Sequence, residues 1–133
     1  MTSSAPAPPG RPAPTMRWFF LGLSGRISRL PYLLGILFLM AVSGFIIGRL
    51  ASVPEQSGAA AFWALVALSF GLLSIWAMVA ISVKRLHDMN VPGALAICLF
   101  VPAVSFITVI VLCLWPGNGG PNRFGKDENR PAQ

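Results

Sequence analysis

The sequence predicts an all-α membrane protein with three transmembrane helices preceded by a short interfacial segment. Two observations support this fold class. The chain of 133 residues is 55% hydrophobic and only 11% charged, whereas about 25% of the residues in a typical soluble domain are charged. In addition, three apolar runs of 18, 25 and 22 residues contain no charge at all. Roughly 20 apolar residues in a helix cross the hydrocarbon core of a bilayer.

The three runs place the transmembrane helices at about residues 31–49, 59–83 and 94–115. None of them shows the alternation of a barrel strand or the polar face of a soluble amphipathic helix. Pro102 interrupts the third run, because proline lacks a backbone N–H and kinks or breaks a helix. A re-entrant hairpin is the alternative for this run, but its bend would need to be covered by protein. We therefore expect one Pro-kinked span, with the C-terminal tail outside.

The chain divides into three regions by composition. Residues 1–15 are rich in proline and alanine and predict a disordered tail. Residues 16–128 form a single multi-span membrane domain, and residues 129–133 are expected to be a disordered end. Within the membrane domain, residues 16–29 combine an apolar cluster with glycines and arginines. This segment is too short to span a bilayer and suits a position along the headgroups.

The net charge of +6 is best interpreted by position. The basic residues flank the apolar runs, where lysine and arginine set the orientation of membrane spans. They form no basic stripe on a folded face, so we expect no binding to nucleic acid. With three spans and a cytoplasmic N-terminus, six of the ten basic residues lie inside. These features predict a multi-pass membrane protein with a cytoplasmic N-terminus that contacts anionic headgroups of the lipid bilayer.

The three apolar runs contain no Asp, Glu, Lys, Arg or His, which argues against proton-coupled transport because such transport uses ionisable groups at depth. Hydroxyl side chains in the runs leave a passive oligomeric channel as an alternative. Gly44 and Gly48 form a Gly-x-x-x-Gly pattern, which allows close helix packing. Packing within the protomer and homodimerisation both remain open for this pair. The protein as a whole is expected to act through packing with itself, with a partner membrane protein or with lipid headgroups.

The single histidine, His87, stands beside Asp88 and raises the question of catalysis. The sequence has no phosphate-binding glycine loop, no Cys-x-x-Cys and no His-Glu-x-x-His. A zinc site would need a third ligand, and a hydrolytic triad would need a nucleophile held close to the histidine. We therefore predict no cofactor, no metal and no enzymatic activity. An enzyme that acts on lipid headgroups through these two residues is the weakest alternative.

Polar residues next to the spans predict a cluster at headgroup level instead. Cations at the end of the second span complement a helix C-terminus, and Asp88 is placed to pair with an arginine from its own helix or from the interfacial segment. We expect the tail motif to dock onto the bundle through its aromatic ring. The predicted cluster consists of Arg26, Arg29, Lys84, Arg85, His87 and Asp88, and the tail motif of Asn122, Arg123, Phe124 and Gly125.

Three polar motifs occur in a fixed order between the apolar runs. They are Ser24–Arg29 with Tyr32, then Lys84–Asn90, then Pro116-Gly117 with Pro121–Asp127. In order and spacing they resemble the bacterial inner-membrane family called domain of unknown function 805, over about residues 16–128. Leu30-Pro31 and Val91-Pro92-Gly93 depart from the usual pattern of that family. The resemblance implies a small multi-span membrane protein of unestablished activity, and it supplies no catalytic residues.

Overall fold

The computed structural model describes residues 10 and 12–132. It contains four α-helices and one 3-10 helix, and within the described residues there is no strand beyond two isolated bridges. The predicted tail of residues 1–15 lies mostly outside this range. The elements are α1 (Met16–Leu21), α2 (Arg29–Ala51), α3 (Gly58–Asp88), the 3-10 helix η1 (Gly93–Phe100) and α4 (Pro102–Leu114).

Helix α1 is a single short helix that packs on α3. The Thr15 side chain caps its start by accepting a hydrogen bond from the Trp18 N–H. Two indole N–H groups then fix its C-terminal end, because Trp18 donates to the Ser24 carbonyl and Trp76 of α3 donates to the Leu21 carbonyl. The segment that was expected at the headgroups is therefore a defined element attached to the bundle.

Helices α2 and α3 are long and apolar enough to cross a membrane. Only 28% and 17% of their most apolar 18-residue windows are buried inside the protein, whereas the central helix of a soluble protein would be mostly covered. Their positions agree with the first two predicted spans, except at one end. The prediction ended the second span at residue 83, but α3 continues through the basic residues to Asp88. The chain turns only afterwards, at Asn90, which has a φ of 57°.

The third apolar run, which the sequence predicted as a single kinked span, is divided into two helices in the structure. It breaks at Val101 into η1 and α4, and Pro102 begins α4, where a missing N–H has no cost. Both ends of the run lie beside the last turns of α3. A Cβ atom on Gly93 would come within 2.9 Å of the His87 ring, and the Trp115 carbonyl accepts a hydrogen bond from Arg85. The run therefore leaves this end of α3 and returns to it.

The buried core lies at the same end of the molecule. Most of its members come from the first half of α2 and the last third of α3, and the Tyr32 hydroxyl is 3.1 Å from the Ser82 hydroxyl within it. The opposite halves of α2 and α3 contribute only Ile46 and Ala60 to the buried apolar residues. The core cluster consists of Ile27, Tyr32, Ile36, Leu39, Ala77, Ile81, Leu86, Ala96 and Leu112.

The C-terminal segment folds back over this core. The Asn118 N–H donates to the Asp88 carbonyl at 2.8 Å. Two residues of the predicted disordered end also make defined contacts: the Asn129 side chain accepts a hydrogen bond from the Ser28 N–H, and the Arg130 carbonyl accepts one from the Arg26 N–H. The segment before α2, the end of α3 and the C-terminal segment therefore meet in one place.

Candidate functional site

Four charged side chains are buried where the three polar motifs meet. They are Arg26 from the segment before α2 and Lys84, Arg85 and Asp88 from the last turns of α3, and each is at most 1% exposed. Charged side chains are almost never fully buried unless they are paired. We refer to these four residues as the polar clasp.

Asp88 is the anionic centre of the polar clasp. Its Oδ1 accepts hydrogen bonds from Nε and Nη2 of Arg26 at 3.2 and 3.0 Å. Its Oδ2 accepts a hydrogen bond from Nη1 of Arg85 at 2.5 Å. Arg26 is 62 residues away in the chain, whereas Arg85 is one helical turn away. One carboxylate therefore joins the segment before α2 to the end of α3.

The two guanidinium groups use their other N–H groups to hold the C-terminal part of the chain. Arg26 donates to the carbonyls of Asn118 and Gly120 at 2.7 Å each and to that of Gly125 at 3.3 Å. Together with the two bonds to the carboxylate, these contacts engage all five guanidinium donors. Arg85 donates to the Leu112 carbonyl at 2.8 Å and to the Trp115 carbonyl. The end of α4 and the loop after it are thus fixed by backbone acceptors.

Lys84 attaches α1 to the same end of α3. Its Nζ donates to the carbonyls of Trp18 and Gly22 at 3.0 and 2.5 Å, and it lies 5.3 Å from the centre of the Trp18 ring. The last carbonyls of a helix have no partner within the helix, and a cation at that end also complements the helix dipole. The lysine therefore serves as a C-terminal cap for a helix that is distant in sequence.

His87 and Phe124 form a stacked pair at the edge of the polar clasp. Their ring centroids are 4.0 Å apart and the rings are inclined by 7°. The His87 Nδ1 is 3.2 Å from the Gly25 carbonyl; because a carbonyl only accepts, Nδ1 carries the hydrogen. Asn122 donates its side-chain N–H to the His87 carbonyl at 2.8 Å, and the Arg123 guanidinium lies 4.7 Å from the Phe124 ring centre. The tail motif thus docks on the histidine through its aromatic ring.

Two glycines allow the backbone to approach the polar clasp this closely. A Cβ atom on Gly117 would lie 1.8 Å from Oδ2 of Asp88. Gly25 has a φ of 90°, and a Cβ atom there would lie 2.3 Å from the Arg130 carbonyl. Sequence reasoning assigned no role to either residue. Their neighbours in space are far apart in the chain, so the only signal in the sequence was their position inside two of the polar motifs.

The structure brings five of the six predicted cluster residues together and leaves one apart. Arg29 is exposed at the start of α2 and does not contact Asp88. The two glycines predicted for helix packing also lie elsewhere, since a Cβ atom on Gly44 or Gly48 would meet nothing within 4 Å. That face of α2 is therefore uncovered within the protomer. The five residues that meet are Arg26, Lys84, Arg85, His87 and Asp88.

The geometry of the polar clasp is that of a structural joint. Both carboxylate oxygens of Asp88 are engaged by arginines, so this carboxylate is not available to orient the neighbouring imidazole as a catalytic base. Across residues 10 and 12–132, no group of three His, Cys, Asp or Glu side chains is placed to hold a metal ion.

Glu128, 40% exposed, lies 3.8 Å from Arg26. Burial and the nearby Asp88 carboxylate raise the pKa of the Glu128 carboxyl.

Comparison with known proteins identifies the family. A family model described as a protein of unknown function (DUF805) matches residues 20–126. The chain belongs to the DUF805 family. It is also similar to the inner membrane protein YhaI of Escherichia coli K12, with 27% identity over 118 residues that cover 84% of this chain and 95% of that protein. The same identity and coverage hold for YhaI of Escherichia coli O157:H7. No solved structure matches the chain significantly.

Membership in DUF805 confirms the resemblance found in the three polar motifs. The match to residues 20–126 includes the whole polar clasp and the tail motif. Together with the two apolar helices and the similarity to an inner membrane protein, it makes this chain a membrane protein of a family without an established activity. The family description assigns no role to any residue, so the roles given above come from the geometry of the chain itself.

Proposed function

We propose that this DUF805 protein is a non-catalytic inner-membrane protein with two crossing helices and one re-entrant hairpin. In this arrangement α2 and α3 cross the bilayer, while η1 and α4 enter it and return to the cytoplasmic side. The observation that carries the proposal is that Gly93 and Trp115, at the two ends of the hairpin, both contact the end of α3.

The dimensions of the hairpin support this arrangement. The eight residues of η1 rise about 16 Å at roughly 2.0 Å per residue. The 13 residues of α4 rise about 20 Å at roughly 1.5 Å per residue. Each arm therefore reaches just past the middle of a hydrocarbon core that is about 30 Å thick. Neither arm is long enough to cross it alone.

The distribution of charge supports a cytoplasmic position for the polar clasp. If the hairpin returns, nine of the ten Lys and Arg residues belong to segments on the clasp side and only Arg49 to the other side. Three full spans would divide the same residues six to four. Cytoplasmic loops carry the excess of basic residues in inner-membrane proteins. Both described ends of the chain are then cytoplasmic.

The polar clasp favours a role in assembly over a role in chemistry. Its four charges are satisfied by one another and by backbone carbonyls, and a catalytic carboxylate must instead be free to meet substrate. The clasp joins α1, the two crossing helices and the hairpin into one unit. Such a unit acts through the surfaces that it presents to lipid or to other membrane proteins.

Self-association is the interaction that the uncovered surfaces favour. The bend of the hairpin is open, with Val101 50% exposed, and irregular backbone at membrane depth requires protein cover. Gly44 and Gly48 present a small-residue face with nothing packed on it. A second copy, or a partner membrane protein, would cover both features. Cross-linking between cysteines introduced at Gly48 of two copies would support self-association, and its absence in native membranes would exclude this face.

The hydroxyl groups of the apolar runs give little support to the alternative of a passive oligomeric channel. Ser105 and Thr108 donate to carbonyls of their own helix, and Ser82 contacts Tyr32. Within the described part of the chain, Ser74 carries a buried hydroxyl without a partner. Flux through liposomes that contain the purified protein tests the channel. If a gene that encodes the His87→Ala variant complements a deletion of the gene as well as the wild-type gene does, the headgroup enzyme is excluded.

Topology mapping tests the proposed arrangement. In a variant with Cys98 and Cys113 replaced by serine, we would introduce one cysteine at Gly119 in the C-terminal loop or at Ser52 after α2. Gly119 is a suitable position because a Cβ atom there meets nothing within 4 Å. Only the Ser52 cysteine should react with a membrane-impermeant maleimide in intact spheroplasts, and both should react after lysis. Labelling of the Gly119 cysteine in intact spheroplasts would overturn the re-entrant model.

A further inference from the structure

Helix α1 contacts α2 well inside the first apolar run, which begins at residue 31. A Cβ atom on Gly35 would be 3.0 Å from the Phe19 ring, and the ring centres of Phe20 and Phe38 are 5.6 Å apart. Gly35 and Phe38 stand four and seven residues after the start of that run, which is roughly 6 and 10 Å at about 1.5 Å per residue. The run of residues 31–49 is about as long as the hydrocarbon core of a bilayer is thick, so these distances are depths below the headgroups.

Trp76 gives the same depth from the side of α3. It stands seven residues before the end of the second apolar run at residue 83, again about 10 Å inside. Tryptophan is enriched at the membrane interfaces, where its indole N–H finds a polar partner. Trp76 lies below that level, and its N–H donates instead to the Leu21 carbonyl at the end of α1, at 3.2 Å. The end of α1 thus supplies the acceptor that hydrocarbon lacks.

The backbone around the end of α1 receives its hydrogen bonds from side chains. The last carbonyls of a helix have no partner within the helix, and in hydrocarbon no water replaces that partner. The carbonyls of Trp18 and Gly22 accept hydrogen bonds from the buried ammonium group of Lys84. The Ser24 carbonyl accepts one from the Trp18 indole at 2.8 Å. Donors from the protein therefore suit this end of α1 to surroundings without water.

The outward side of the segment is apolar and continues onto α2. Met16, Leu21 and Leu23 are 78%, 40% and 43% exposed. Only apolar residues line the groove between α1 and α2, and among them Leu34 of α2 is 55% exposed. The charged residue of α1, Arg17, is exposed, and a long basic side chain reaches the headgroups while its stem stays along apolar surface. An apolar surface at this depth, continuous with that of α2, is one that acyl chains cover.

We propose that residues 16–24 insert into the hydrocarbon of the cytoplasmic leaflet and contact its acyl chains, with the Leu21 end of α1 roughly 10 Å below the headgroups. The inference rests on the proposed function, which assigns the clasp end to the cytoplasm. It replaces the position along the headgroups that the sequence predicted for this segment. Helix α1 is then a lipid-contacting element of one leaflet, held there by α3.

Spin-label depth measurements on the full-length protein, in vesicles of phosphatidylethanolamine and phosphatidylglycerol, test the insertion. In a background with Cys98 and Cys113 replaced by serine, one nitroxide is attached to a cysteine introduced at Leu21, Leu30 or Leu37, which are all exposed. The ratio of collisions with oxygen to collisions with a nickel chelate reports the depth of each label. Leu30 and Leu37 calibrate the scale, because they stand seven residues apart on α2, about 10 Å in depth.

We expect the label at Leu21 to lie close to the depth of the label at Leu37. A label at Leu21 that is as accessible to the nickel chelate as the label at Leu30 would overturn the insertion.

A second pair of variants tests the indole that holds α1 at this depth. Trp76→Phe keeps an aromatic ring but removes the N–H, so the Leu21 carbonyl loses its donor. We expect the label at Leu21 to shift toward the depth of the label at Leu30. Trp63→Phe makes the same change at the far end of α3 and should leave the depth unchanged. Equal depths in the two variants would overturn the role of Trp76, and their melting temperatures report whether both proteins fold.

The topology experiment separates failure of this inference from failure of the proposed function, because the depth of a label does not depend on which side is cytoplasmic. Labelling of the Gly119 cysteine in intact spheroplasts, together with a deep label at Leu21, would refute the cytoplasmic assignment and place α1 in the other leaflet. Protection of the Gly119 cysteine together with a shallow label at Leu21 would refute the insertion alone.

Discussion

Asp88 shows, at the scale of single residues, how a membrane protein accommodates charge at the end of a bundle. Desolvation of a charged side chain costs several kcal/mol, and this cost is offset only when the geometry and the remaining hydrogen bonds are good. Here the Asp88 carboxylate pairs with two arginines, and both guanidinium groups also donate hydrogen bonds to backbone carbonyls. The arrangement makes every member dependent on the others, so that removal of one partner leaves a buried charge without compensation.

Replacement of Asp88 by asparagine should therefore be strongly destabilising. The variant leaves Arg26 and Arg85 buried with their charges unpaired, and breaking a buried pair costs about 3–5 kcal/mol. The loss should appear as a lower melting temperature of the purified protein in detergent. Glu55→Gln, which removes a carboxylate from the exposed loop after α2, should have almost no effect. A melting temperature for Asp88→Asn that equals that of the control would contradict the assigned role of the carboxylate.

Gly117 offers a test of how closely the backbone approaches the polar clasp. A methyl group at this position overlaps Oδ2 of Asp88, at a distance of 1.8 Å, so Gly117→Ala must displace the loop or the carboxylate. Overpacking of this kind costs about 1–3 kcal/mol. Gly119→Ala, two residues later, meets open space and serves as the control. Equal stability of the two variants would show that the loop does not approach Asp88 as described.

Glu128 predicts a pH dependence that is local to the polar clasp. Burial and the Asp88 carboxylate raise the pKa of Glu128 above its ordinary value of 4.5, although Arg26 and Arg85 act in the opposite direction. The folded state thus binds this proton more readily than the unfolded state does, and its relative stability rises as the pH falls through the folded pKa. Glu128→Gln should remove this gain, so that the melting temperatures of variant and wild type converge on acidification from pH 7. A constant difference between the two proteins would exclude the shift.

The elements differ in how far the sequence predicted them. The helices α2 and α3 follow from long apolar runs, which can be recognised in the sequence without knowledge of any tertiary contact. The end of α3 was missed because Lys84–Asp88 is polar and resembles a turn, although cations are favourable in the last turn of a helix. The break at Pro102 was visible, because proline carries its own backbone constraint. The return of the third apolar run to the end of α3 was not visible, because it depends on the long-range contact between Arg85 and Trp115.

Docking of the C-terminal segment is the long-range feature that can be measured most directly. The stacked rings of His87 and Phe124 predict that the two residues are energetically coupled, and aromatic pairs contribute about 0.5–1.5 kcal/mol beyond the area they bury. In a double-mutant cycle, His87→Ala and Phe124→Ala should together cost less than the sum of the single changes. The free energy of unfolding of the four proteins in detergent provides the measurement. Strict additivity would indicate that the rings do not interact.

At the scale of the whole molecule, the contacts that hold the fold together are concentrated at one end. The core cluster, the polar clasp and the docked C-terminal segment all lie at the clasp end, while the opposite halves of α2 and α3 expose most of their apolar side chains. In a bilayer those halves are surrounded by lipid, and the backbone of each helix satisfies its own hydrogen bonds. The polar motifs could be recognised in the sequence as a set, but their mutual hydrogen bonds join residues more than 30 positions apart and required the fold.

This organisation predicts that the C-terminal segment is part of the folded unit rather than an appendage. Truncation after Trp115 removes the Asn118, Gly120 and Gly125 carbonyls, which accept three hydrogen bonds from Arg26, and leaves that guanidinium without these acceptors. A buried donor without a partner costs about 1–3 kcal/mol, and more when it is charged. The truncated chain should therefore melt at a much lower temperature and accumulate poorly in the membrane. Truncation after Pro131, beyond the Arg130 carbonyl that bonds the Arg26 N–H, should retain wild-type stability. If both truncations are equally stable, the C-terminal segment does not contribute to the fold.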